Sequence, residues 1–187
     1  MNMSKINRKA LVTRHNPSVN KIDPNSPLSV GNGEFAFTVD VTGLQTFTDQ
    51  YILPLGTQSQ WGWHTTPPSG QIDPTQLKPK RIESNGRQVG YYISEKGQEE
   101  AFHYLRENPH RLQLGQIGLR ILLENGEEAQ ADDIDGISQT LDLWTGIITS
   151  KFQVEGETVK VVTCCHSNVD AVAVSIHSEL MIQGACK

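Results

Sequence analysis

Hydrophobic and polar residues alternate over much of the chain. In residues 35–41, phenylalanine or valine occupies every second position, which is the pattern of a strand with one buried face. The glycines of Gly31-Asn32-Gly33 come just before this run. They do not predict a phosphate-binding loop, because such a loop leads into a helix and no helical pattern follows here. We therefore predict a turn that opens a strand, and Pro24 and Pro27 argue against another strand before it.

Similar patterns predict more strands along the rest of the chain. Asn85-Gly86 and Asn125-Gly126 are dipeptides that favour tight hairpin turns, and a further hairpin is predicted around Glu155-Gly156. Apolar alternation or continuous apolar runs indicate strands over residues 117–123, 137–144, 147–154, 158–165 and 169–177. These segments lie close together in the chain, as expected of an antiparallel sheet.

One stretch has helical rather than alternating spacing. Ala101, Tyr104 and Leu105 recur at three and four residues, and Pro109 follows as a stop signal. This predicts a single short helix over residues 98–107. Because helices do not alternate with strands, the pattern favours a mainly β fold, an antiparallel two-sheet β-sandwich.

The predicted domain plan is simple. Residues 1–30 are polar and rich in proline and asparagine, which indicates an extended N-terminal lead-in. Residues 31–187 would then form the β-sandwich domain. Residues 51–86 do not fit the strand pattern, and we predict a long loop that is functional or forms an interface.

Composition narrows the classes of partner. The chain has 187 residues and a net charge of −5, and without a basic stripe it is not expected to bind nucleic acid. No apolar run predicts a membrane span. Three cysteines do not predict a disulfide framework. No secretory signal is visible, so we expect a cytoplasmic protein, or an exported enzyme whose leader has been removed.

The best candidate for a binding site is an aromatic cluster near residue 60. Two of the three tryptophans lie two residues apart, and in an extended segment both would face the same way. Aromatic faces can stack on the apolar faces of sugar rings, while amide and imidazole groups reach the hydroxyls. The alternative is that the indoles fill the core or pack against another domain. The predicted substrate-binding residues are Gln58, Gln60, Trp61, Trp63 and His64.

Two other clusters do not predict catalytic or metal sites. Asp132, Asp133 and Asp135 are close neighbours, whereas a glycosidase needs two separated carboxyl groups with different pKa values. We interpret them as a solvated loop. In the Cys164-Cys165-His166 stretch, strand geometry would send the two sulfurs to opposite faces, so a tetrahedral metal site is not expected. No cofactor and no metal are predicted.

A resemblance to a known family adds a functional hypothesis. Residues 138–178, with Leu141-Asp142-Leu143, Gly146, Ser167 and Asp170, resemble part of the N-terminal domain of six-hairpin glycosidases, especially glycoside hydrolase families 65 and 95. The Gly31-Asn32-Gly33 segment and the strand after it also resemble the start of an early strand in that domain. The resemblance implies a β-supersandwich with a role in carbohydrate metabolism. It also implies that catalysis, by inversion with water or phosphate as nucleophile, belongs to a following (α/α)6 barrel.

On this hypothesis the chain is the non-catalytic N-terminal part of a larger glycoside hydrolase or phosphorylase. Its implied partners are the C-terminal (α/α)6 barrel and an oligosaccharide or glycoside. Three alternatives remain open: a free-standing carbohydrate-binding module, a complete small hydrolase that uses the aspartate cluster, and a β-sandwich interaction scaffold. The scaffold would associate through an unpaired strand and is predicted to form a homodimer.

Overall fold

The computed structural model describes residues 6–67, 73, 77–93 and 96–182. The protein is mainly β, with antiparallel sheets. The chain folds into two compact units, one made of Met1–Gln60 with Gln113–Lys187 and the other of Trp61–Leu112. We call the first the sandwich unit and the second the insertion unit.

The elements are short. The helices are α1 (Arg8–Thr13), α2 (Glu99–Glu107) and α3 (Glu179–Ile182). The strands are β1 (Ser18–Val19), β2 (Leu28–Gly31), β3 (Phe35–Val39), β4 (Thr57–Ser59), β5 (Trp63–His64), β6 (Lys80–Ser84), β7 (Arg87–Tyr91), β8 (His110–Arg111), β9 (Ile134–Asp142), β10 (Ile147–Val154), β11 (Glu157–Cys165) and β12 (Val172–His177).

Two sheets build the sandwich unit. One has the strand order β1-β9-β10-β11-β12 and the other the order β2-β3-β4. The alternation in β3 places Phe37 and Val39 inside, with no exposed surface. They belong to one apolar cluster with Ile148, Phe152 and Val161 of the larger sheet. The predicted two-sheet, antiparallel fold class is therefore confirmed, and its core lies between the facing sides of the sheets.

Hairpin turns form where the asparagine-glycine and glutamate-glycine pairs predict them. Asn85 and Gly86 have φ values of 50° and 76° between β6 and β7, and Glu155 and Gly156 have 51° and 86° between β10 and β11. Positive φ at both central residues matches the right-handed twist of the flanking strands. The predicted helix at 98–107 is confirmed as α2, and its buried side chain is Phe102.

The N-terminal prediction is corrected by three elements. Residues 8–13 form α1 rather than extended chain, because the Asn7 side chain accepts a hydrogen bond from the Ala10 amide and caps the helix. β1 and β2 also lie within residues 1–30. Pro27 does not prevent β2, because it stands just before the first residue of the strand. The GNG segment is thus a connection between two paired strands.

Two other segments differ from their predicted form. Leu119 and Ile121 are buried as the alternation predicts, but residues 117–123 form isolated bridges rather than a strand, and Leu122 pairs with Glu128. The segment 51–86, predicted as a loop, contains β4, β5 and β6. Within this segment, Pro68 and Pro74 lie outside the described residues.

Candidate functional site

The predicted binding residues are divided between the two units. Gln58 lies in β4 opposite Ala36, and the Gln60 amide donates to the Glu34 carbonyl at 2.8 Å, so both belong to the sandwich unit. Both glutamines are exposed. Trp61, Trp63 and His64 belong to the insertion unit.

Both tryptophans of the insertion unit face solvent. The exposed fraction is 66% for Trp61 and 54% for Trp63, which excludes the alternative that these indoles fill a core. The chain turns at this point, and the Trp63 amide donates to the Trp61 carbonyl at 3.1 Å. The extended conformation that would align the two rings is therefore absent. We use the name tryptophan surface for the exposed side chains of Trp61, Trp63 and His64, which lie within four consecutive residues.

A short ladder holds the base of the tryptophan surface. β5 and β8 pair antiparallel, with Trp63 opposite Arg111 and His64 opposite His110. The two imidazoles meet edge to face, with ring centroids 5.3 Å apart. The Leu112 amide donates to the Gly62 carbonyl at 2.8 Å and extends the pairing. The backbone of Trp63 and His64 is therefore held along one edge by β8, which limits the loss of backbone entropy on binding a ligand.

The same unit contains a groove along α2. Glu100, His103, Tyr104 and Glu107 share one helix face because they recur at three and four residues. Together with Thr66, Pro67 and Asn108 they line a space of about 380 Å³. The lining includes carboxylates, an imidazole and a phenol, which can accept or donate hydrogen bonds to a polar ligand.

Asn108 fixes the wall of this groove. Its Oδ1 accepts hydrogen bonds from the Thr66 amide at 2.8 Å and from Thr66 Oγ1 at 3.0 Å. Its Nδ2 donates to the Tyr104 carbonyl at 2.9 Å. Asn108 therefore ties the chain after β5 to the C-terminal end of α2, and its amide serves the fold.

The aspartate cluster has a structural role. Asp133 lies in a single 3₁₀ turn, Ala131–Asp133, and its Oδ2 accepts the Gln130 amide at 2.7 Å as part of a capping box. Asp132 and Asp135 are exposed, as the solvated-loop interpretation predicts, but Asp135 lies in β9 opposite Gln153 and not in a loop. The three carboxyl groups belong to exposed residues within a stretch of four, whereas glycoside hydrolysis requires two carboxyl groups on either side of the scissile bond.

The cysteine stretch also lacks the features of a metal site. Cys164 and Cys165 are free thiols, and the described residues contain no cluster of three or more potential metal ligands. Burial raises the pKa of the Cys165 thiol, and the nearby Asp170 carboxylate raises this pKa further. His166 accepts the Asn168 amide at its Nδ1, at 3.1 Å.

Sequence reasoning missed a buried polar network in the sandwich unit. It surrounds residues 40–47, where the Asp40 carboxyl accepts the amides of Thr42 at 2.7 Å and Phe47 at 2.6 Å. Burial raises the pKa of Asp40, and the hydrogen bonds from Phe47 and Thr42 oppose this shift. The pKa of Tyr51 is raised as well, by burial and by the Asp40 charge.

The five-stranded sheet contributes side chains to this network. Gln139 of β9 donates from Nε2 to the Asp40 carbonyl at 2.7 Å and to Ser150 Oγ at 2.9 Å. Thr163 of β11 donates to the Gly43 carbonyl at 2.6 Å. In the part of the chain that the structure describes, no buried side-chain nitrogen or oxygen lacks a partner. The network is therefore structural, and only the positions of polar residues inside apolar strands could have indicated it.

Comparison with known proteins gives no assignment: no family model, no curated protein and no solved structure matches the chain. The resemblance to six-hairpin glycosidases stays a prediction. In the described residues, none of the helices has the length and apolar character needed to cross a membrane.

Proposed function

We propose that the chain is a non-catalytic β-sandwich domain of a carbohydrate-active protein, and that its insertion unit binds an oligosaccharide at the tryptophan surface. The observation that supports this is the exposure of Trp61 and Trp63, at 66% and 54%. Tryptophan is highly buried on average, so two exposed indoles two residues apart in the chain favour a contact surface. Arg111 lies opposite Trp63 in the β5–β8 pair and provides a polar group on the same side of the ladder.

A neutral sugar is the ligand chemistry that fits this surface. Its ring offers an apolar C–H face to an indole, and its hydroxyls can donate and accept hydrogen bonds with histidine and arginine side chains. His64 and His110 lie in contact on the ladder, and Arg111 is opposite Trp63. Aromatic and polar groups thus lie next to each other within the insertion unit, on backbone that the β5–β8 pairing holds in place.

The wider part of the proposal concerns the enzyme to which this domain would belong. Residues 138–178 carry the resemblance to six-hairpin glycosidases, and on that basis an (α/α)6 barrel performs glycosidic cleavage while this domain packs against it. The absence of a facing carboxyl pair at Asp132, Asp133 and Asp135 supports a non-catalytic role for this cluster. Fold-level analogy alone supports the choice of reaction.

Binding is tested by titrating the chain with a panel of neutral oligosaccharides, by calorimetry and tryptophan fluorescence. Trp61→Ala and Trp63→Ala should each weaken binding about tenfold, which corresponds to about 1.4 kcal/mol. Trp144→Ala is the matched control, since this third tryptophan is 48% exposed and lies in the sandwich unit. It should bind like the wild type.

Equal affinities in all three variants, or no binding to any sugar of the panel, would contradict the proposal. Circular dichroism of each variant checks that the fold is intact. A reducing-sugar assay addresses the alternative of a complete small hydrolase, and we expect no product. Sugar release that disappears in Asp133→Asn would replace the binding proposal with that alternative.

A further inference from the structure

The outer edge of β12 is the least protected strand edge of the sandwich unit. β12 is the last strand of its sheet and pairs on one side only, with β11, from Val172 opposite Cys165 to His177 opposite Lys160. Four of its six residues are exposed. Along its other side, the backbone amides and carbonyls that point away from β11 have no strand partner among the described residues.

The other edges of the two large sheets are short. β1 has two residues and β4 has three, while β2 has four and follows directly after Pro27. Short strands and prolines are devices that prevent edge-to-edge pairing. β12 is six residues long, contains no proline, lysine or acidic residue, and pairs with β11 without a bulge. It therefore lacks each of these devices.

The register shows which partner fits this edge. Val174 and Ile176 lie opposite Thr163 and Val161, whose side chains are buried in the core. Opposite residues of antiparallel strands share a face, so the even-numbered positions of β12 face the core side. Any strand added at this edge should likewise present apolar residues at its core-side positions.

A second copy of β12 meets this requirement. In an antiparallel pair with a two-fold axis at Val174, Val174 lies opposite the same residue of the other copy. Val172 then lies opposite Ile176, and Ala173 opposite Ser175. Apolar residues meet on the core side, small residues meet on the other side, and no like charges face each other within the strand. The interface is isologous and closed, as in most homodimers.

We propose that two copies of the chain associate through β12, in antiparallel register about Val174, and so join their five-stranded sheets into one continuous sheet. The dimer uses residues of the sandwich unit alone, whereas the tryptophan surface belongs to the insertion unit. A partner of different sequence would not place a second Val174 opposite Val174. Charges introduced at this position therefore distinguish such a partner from a second copy of the chain.

The test uses opposite charges at the two-fold axis. In Val174→Lys, and separately in Val174→Glu, two like charges would lie opposite each other across the interface. Val174 is 37% exposed, so a long polar side chain can extend into solvent. By sedimentation and light scattering, the wild type should have twice the mass of one chain, and each variant alone should have the mass of one chain.

Mixing the two variants should restore the dimer, because lysine then faces glutamate. Gln153→Lys is the matched control: it adds the same charge on the interior strand β10, opposite Asp135 and Thr158, and should leave the dimer intact. A monomeric wild type at every concentration, a Val174→Lys dimer, or a mixture that stays monomeric would each overturn the proposal. Circular dichroism confirms that the monomeric variants are folded.

Discussion

Gly43 gives the sharpest quantitative test of how the sandwich unit is packed. It lies in the buried segment that the Asp40 network holds, with φ at +84°. A Cβ at this position would lie 2.8 Å from Ser150 Oγ and 3.1 Å from Val161 Cγ1. Gly43→Ala therefore introduces two separate penalties, the left-handed backbone of a residue with a side chain and a collision with a packed neighbour.

Gly126 separates the two penalties. Its φ is also +84°, it belongs to the same unit, and an added Cβ would meet nothing within 4 Å. Gly126→Ala should lower the free energy of unfolding by about 1–2 kcal/mol, from the backbone term alone. Overpacking adds about 1–3 kcal/mol, so Gly43→Ala should lose about 2–5 kcal/mol in total. The loss of unfolded-state entropy is common to both substitutions and cancels in the comparison.

Thermal and urea unfolding, followed by far-ultraviolet circular dichroism, measure this difference. For a chain of this length, 1 kcal/mol corresponds to a shift of about 2–4 °C in Tm. Gly43→Ala should therefore melt at least a few degrees below Gly126→Ala. Equal losses in the two variants would show that the segment moves aside at no cost, and would refute the close packing of Gly43 against Ser150.

Two further predictions concern titratable groups. Burial raises the pKa of Asp40 above its ordinary 3.8, so its contribution to stability is complete below about pH 4 and is lost as the pH rises through the raised pKa. The free energy of unfolding of the wild type minus that of Asp40→Asn, measured by urea unfolding at several pH values, should decrease as the pH rises. An increase with pH would contradict this. Asp170→Asn should lower the pKa of Cys165 and speed its alkylation at neutral pH, with the Cys164 rate unchanged in the same mass spectrum.

Local chemistry made the hairpins and the core strands predictable. Asn85-Gly86 can adopt two successive positive φ values with little strain, and the alternation in β3 leaves one face with no polar residue to bury. The β10–β11 hairpin was predicted to within a residue for the same reasons. In these segments, local preference and tertiary packing favour the same structure.

The remaining elements depend on contacts that no local pattern contains. α1 has no buried residue and starts at a single capping side chain, so it has no amphipathic signal. β2 exists because β3 offers it a partner from Leu28 to Gly31. The exposure of Trp61 and Trp63, and the separation of residues 61–112 as a unit, follow from packing between distant segments.

The attachment of the insertion unit has an evolutionary consequence. The sandwich unit ends its first segment at Gln60 and resumes at Gln113. Close to these points, Gln113 Oε1 accepts the Thr57 amide at 2.8 Å, and the Leu114 amide donates to the Thr57 carbonyl at 2.9 Å. The sandwich thus holds both ends of the interruption with its own hydrogen bonds. Residues 61–112 can therefore diverge, lengthen or shrink during evolution while the host scaffold is inherited unchanged.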